Sequence, residues 1–109
     1  MDHIELLRRL ANADDRLSSA AFAEESTDPL GAKTHAIACL AALVGIGGTD
    51  ASYAVATDAA VRAGVSTEEL VHVITCTLPV VGVPRAVAAA QHLSVALGLE
   101  LETFVSGDT

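Results

Sequence analysis

The chain has 109 residues, the length of one domain, with 51% hydrophobic residues, 3% aromatic ones and 21 alanines. Alanine buries little area per residue, so a core built by one copy of this chain is thin. The formal net charge of −8 argues against nucleic acid and anionic membranes as partners, and the segment from Leu30 to Gly98 holds only four acids and three bases.

Met1 to Leu10 carries Asp2, Glu5, Arg8 and Arg9 and lacks the apolar stretch of an export signal. Ile4, Leu7, Leu10 and Ala11 form one helical stripe, and Leu17, Ala20, Ala21 and Phe22 form a second. Asp28-Pro29 reads as an N-cap followed by proline at the first helical position. The helix it opens is expected to run to about Val44 and stop at Gly45, Gly47 and Gly48. Its apolar residues cover every side from Ala36 to Val44, a pattern of full burial. The longest uncharged run, Ala36 to Thr49, is too short and too glycine-rich to span a bilayer.

The next helix opens at Thr49-Asp50 and ends at Gly64. Ser66-Thr-Glu-Glu69 is a capping box for the helix after it, which Pro79 should kink or end. A last helix starts at Pro84 and closes at Gly98. The reading is all-α: about six helices, no strand, and two helical hairpins in a single domain over residues 1–109.

The two hairpins share a repeat. His35-Ala-Ile37-Ala-Cys39, followed by Val44-Gly45-Ile46, returns 37 residues later as His72-Val-Ile74-Thr-Cys76, followed by Val81-Gly82-Val83. An i, i+4 spacing puts each His and Cys on one helical face. With pseudo-twofold packing the four side chains could converge. Three readings then stand side by side. The plainest makes both cysteines small buried hydrophobes, with the histidines satisfied or at the surface. A second makes His72 and His35 a catalytic or ligand pocket, since imidazole moves protons near neutral pH. The third is a Cys₂His₂ metal site of His35, Cys39, His72 and Cys76, whose ligand types suit zinc but whose spacing does not. Two cysteines are too few to staple a secreted mini-protein, so the chain is expected to be cytoplasmic with reduced thiols.

Other positions carry smaller signals. Gly45-Ile-Gly47-Gly48 before a helix can bind an anion through backbone N–H groups, but it lacks the lysine and spacing of a phosphate loop, and a plain turn is the simpler reading. Tyr53 can line a pocket and Arg85 can hold a carboxylate. His92 reads as packed or at an interface. Asp50 and Asp58 are too far apart in pattern to suggest an acid–base pair.

Lys33-Thr34 through Gly48, then Ala60-Val-Arg-Ala-Gly64-Val-Ser-Thr-Glu-Glu69-Leu, then Gly82-Val-Pro84-Arg-Ala86, resemble the carboxymuconolactone decarboxylase family, which includes the alkylhydroperoxidase D-like proteins. The resemblance covers residues 29–98, leaving residues 1–28 as added N-terminal helices and residues 99–109 as an acidic extension. It implies an orthogonal all-α bundle that assembles as a homo-oligomer, commonly a trimer or hexamer. Peroxidase members of that family carry Cys-x-x-Cys-x-x-x-His, and those positions correspond here to Thr49, Ser52 and Ala56. Their glutamate corresponds to Ala36. Without those thiols the peroxidase chemistry has no nucleophile at that place. Where His72 stands, the decarboxylase-like pattern usually has a glutamate.

The expected function is therefore a small-molecule enzyme using acid–base chemistry on an organic acid, lactone or similar carbonyl compound. His72, His35, Cys76 and Cys39 are its candidate catalytic residues, and Ser52, Tyr53, Thr49 and Arg85 its candidate ligand contacts. No cofactor is expected beyond the metal that the third reading would hold. A non-catalytic oligomeric ligand-binding or assembly protein is one alternative. A thiol peroxidase using Cys39 and Cys76 is the other.

Overall fold

The computed structural model describes residues 2–13, 15 and 29–99, and within them every regular element is a helix. These are α1 (His3–Ala11), α2 (Gly31–Ile46), α3 (Asp50–Arg62), α4 (Thr67–Val81) and α5 (Val83–Ala96). The stripe at Leu17 to Phe22 lies outside the described residues. None of the described helices is long and apolar enough to cross a membrane.

Helices α2 to α5 form a four-membered ring in which α2 lies beside α3 and α4, and α5 closes the ring beside the same two. Leu40 and Val44 of α2, Tyr53 and Ala60 of α3, Leu70 and Val73 of α4, and Ala89 and Leu93 of α5 fill its centre. Tyr53 is the largest fully buried side chain, so one aromatic stands in a core otherwise made of aliphatics. Helix α1 stands outside this ring, with Ile4, Leu7 and Leu10 exposed along one stripe.

Local chemistry explains most boundaries. Thr49 Oγ1 accepts from the Ser52 N–H at the start of α3. The expected capping box is complete on α4: Ser66 Oγ accepts from the Glu69 N–H at 3.1 Å, and Glu69 Oε1 accepts from the Ser66 N–H at 2.9 Å. Lys33 Nζ, from the first turn of α2, reaches the other Glu69 oxygen at 2.9 Å and ties α2 to α4.

Three local expectations need correction. Helix α2 begins at Gly31 rather than at Pro29, because Pro29 and Leu30 form a turn and Gly31 takes φ +80°, a conformation that breaks a right-handed helix. Pro79 does not end α4, which continues to Val81 until Gly82 turns it at φ +89°. Proline's own φ suits a helix, and the missing N–H frees only the carbonyl of Thr75, an exposed residue that water can serve. Helix α2 is not buried all round either. Ala36, Leu40 and Val44 face the core, whereas Ala38, Cys39 and Ala42 are exposed, since a ring neighbour covers each flank and no other described helix covers the outer side.

Candidate functional site

Cys39 and Cys76 are both exposed free thiols, so the reading of them as buried hydrophobes fails. They sit on the flanks of their helices rather than on the core faces, which Leu40 and Val73 occupy. Nor do the two His/Cys pairs converge. His35 and Cys39 border a groove of about 410 Å³ between α2 and α3, walled by Ala32, Ala36, Ala56, Ala59 and Ala63. His72 and Cys76 border a separate groove of about 260 Å³ between α2 and α4, with Ile37, Ala41 and Glu69. Among the described residues no three His, Cys, Asp or Glu side chains stand close enough to hold a metal ion, so the four-residue metal set is not assembled. Ser52 and Tyr53 border neither groove.

A different pair meets where α3 begins. Asp50, in the first turn of α3, places Oδ1 2.6 Å from Nδ1 of His92 on α5. A carboxylate is an acceptor only, so Nδ1 carries a proton and donates to Asp50, and the tautomer this contact selects is the one whose lone pair lies on Nε2. This is the orienting arrangement by which a carboxylate fixes the tautomer of a catalytic histidine. The carboxylate also sits at the positive end of the α3 dipole, where a negative charge is favoured.

Tyr53, three residues after Asp50 on the same helix, stacks on the His92 ring at 5.1 Å between centroids and 16° between planes. The imidazole is thus held at one edge by Asp50 and across one face by Tyr53, while His92 keeps about 30% of its side chain exposed. Burial pushes the Tyr53 phenol above its ordinary pKa, so it remains a neutral ring. Thr57, a turn further along the buried face of α3, keeps its Oγ1 without a hydrogen-bond partner among the described residues.

The remaining expected contacts gather around the same helix start. The hydroxyls of Thr49 and Ser52 lie 3.2 Å apart, and that of Thr49 is engaged in capping α3. Arg85, two turns before His92 and on the same side of α5, lays its guanidinium against Gly47. Gly47 has φ +84°, which favours glycine there, whereas a Cβ at position 47 would stand 2.7 Å from Arg85 Nη1, the flexible end of a side chain that can move aside. Of the three bases between Leu30 and Gly98, Lys33 pairs with Glu69 and Arg62 with Asp58 at 3.1 Å. Among the described residues Arg85 has no carboxylate partner.

Sequence reasoning gives His92 and Asp50 no joint role, because 42 residues separate them and neither lies in a repeat or a motif. The usable signal is Asp50 directly after a Thr49 cap, which places a carboxylate at a helix mouth. Nothing in the chain announces which base meets it.

The chain matches the carboxymuconolactone decarboxylase family over residues 9–94 and belongs to that family. No curated protein and no solved structure gives a significant match.

Proposed function

We propose that this chain is a homo-oligomeric acid–base enzyme of its family, acting on a small organic acid, lactone or similar carbonyl compound. The observation that carries the reading is the 2.6 Å contact between His92 Nδ1 and Asp50 Oδ1, which joins two helices at a partly open place. In this reading His92 Nε2 removes a proton from a carbon beside a carbonyl, or from water attacking a lactone, and returns it in the subsequent step. Asp50 keeps the tautomer and stabilises the imidazolium formed in between. Arg85, the one unpaired cation of the bundle among the described residues, holds the acid group of the substrate. The Thr49 and Ser52 hydroxyls border the reacting atoms, and the buried Tyr53 ring backs the imidazole from the core side. This chemistry calls for no cofactor, and a reduced cytoplasm suits two exposed thiols.

The assembly rests on exposed apolar surface. Val80 is 86% exposed, Ile46 75% and Val55 73%, a large apolar surface for a single copy of this size. Light scattering is expected to give at least three times the chain mass of 11.1 kDa. A mass near 11.1 kDa at micromolar concentration would refute that part.

A panel of carboxylated γ-lactones and β-keto acids, monitored by loss of absorbance and by release of carbon dioxide, tests the chemistry. Turnover in the native protein and its loss in His92→Ala is the expected result. Ligand binding without turnover would favour the binding-protein alternative. A second reading places the base at His72, on the strength of its position with Cys76 in the 260 Å³ apolar groove. Turnover that survives His92→Ala and is lost in His72→Ala would select it.

A further inference from the structure

Arg85 and His92 stand seven residues apart on one side of α5, so their Cα atoms are about 10.5 Å apart along its axis. Both side chains leave the helix with the same tilt, which preserves that offset. They reach different points of the connection between α2 and α3. The Arg85 guanidinium lies against Gly47, the first residue after α2, and His92 Nδ1 meets Asp50 Oδ1 in the first turn of α3. Gly47 and Thr49 have ψ values of 146° and 171°, so the chain is drawn out between these two points. Three drawn-out residues cover at most about 10–11 Å. The two lengths agree. The connection therefore runs along α5 and sets the guanidinium and the imidazole roughly 10 Å apart.

The strip between them is open, with Arg85, Thr49 and Ser52 all exposed and the two hydroxyls 3.2 Å apart. Its one carboxylate, Asp50, is engaged by His92. A ligand that bridges the strip spends roughly 3 Å on a polar contact at each end. About 4 Å then remains between its carboxyl carbon and its reacting carbon, or three to four bonds at about 1.2 Å of extended chain each. Resting on the reading of His92 as the base, we propose that Arg85 and His92 select acids by length. The reacting carbon lies about three to four bonds from the carboxylate that Arg85 holds. An acid that reacts beside its only carboxylate is too short to touch both groups.

Titrating the full-length protein with oxo acids while following the His92 Hε1 resonance tests the length selection apart from turnover. Saturable movement of that resonance by 4-oxopentanoate is expected, and none by the shorter 2-oxopropanoate. Its affinity should fall by about tenfold or more in Arg85→Ala, or when the acid is offered as its methyl ester, and recover in part in Arg85→Lys. In D₂O the same acid should take up deuterium at C5, four bonds from its carboxyl carbon, faster than at C3. There Nε2 takes the C5 proton while the electron pair passes to the carbonyl oxygen, and the exchanged imidazolium returns a deuteron to C5. Equal affinity for acid and ester would overturn the proposal, as would unchanged affinity in Arg85→Ala with helix content intact by circular dichroism. So would an equal His92 response to 2-oxopropanoate, or uptake at C3 as fast as at C5. Length-dependent binding without deuterium uptake would support the selection by length and overturn His92 as the base.

Discussion

His72 and Cys76 stand four residues apart on one helix, whereas His92 and Asp50 stand 42 residues apart on two. The first pair belongs to a repeat and is conspicuous in the chain. In the folded protein it borders a shallow groove with its thiol exposed and no imidazole from the other half of the repeat beside it. The second pair obeys no pattern, yet its side chains meet at 2.6 Å under a stacked tyrosine. The contrast shows what periodicity delivers. Spacing assigns a helical face, but convergence depends on how helices pack, and a repeat related by an approximate twofold can turn its two faces into different grooves.

The largest effect should come from the second pair. His92→Ala is expected to lower turnover by roughly 10²–10⁴-fold, the usual share of a positioned acid–base group, with Asp50→Asn losing less because the imidazole remains. Steady-state kinetics on the responsive substrate checks both. Equal losses from His72→Ala would erase the contrast.

Stability should sharpen it next. Tyr53 is 1% exposed and is both core and support for His92, so Tyr53→Ala should cost about 3–5 kcal/mol in chemical denaturation. Its neighbour behaves in the opposite sense. Thr57→Val removes a buried hydroxyl that has no partner among the described residues and keeps the shape, so it should leave the midpoint unchanged or raise it.

Glu69 ties the groove of His72 to the fold rather than to chemistry. The Ser66 backbone N–H first, and then Lys33, hold its carboxyl down to about 2 from an ordinary 4.5. A depressed folded pKa means the stabilisation is fully present above about pH 4.5 and is lost as pH falls toward about 2. Glu69→Gln should therefore flatten the fall of the thermal midpoint across that window. Glu5 titrates in the same range and contributes equally to both proteins, so the difference between them isolates Glu69.

The smallest effect belongs to the thiols. Cys39→Ala and Cys76→Ala replace exposed side chains and should each change stability by no more than about 0.5 kcal/mol, where buried cysteines would have cost more. Turnover of the acid–base reaction should not change. Hydroperoxide reduction by the native protein, abolished in the double variant, would instead restore the peroxidase alternative.

What the residues determined by themselves was local. Thr49 and the Ser66–Glu69 capping box start α3 and α4, while Gly47, Gly64, Gly82 and Gly98 stop or turn the chain, because caps and left-handed turns depend on residues a few positions apart. The all-α class and the family are legible in those signals and the motifs between them. The burial of α2 is not, because alanine and cysteine suit an interior and an outer face alike, and composition does not say which flank a neighbour covers. Tertiary structure alone decided that Asp50 meets His92, that Arg85 lies on Gly47, and that His35 and His72 face separate grooves. Each of those outcomes turns on the packing of helices distant in the chain, a term to which no single stretch of sequence contributes on its own.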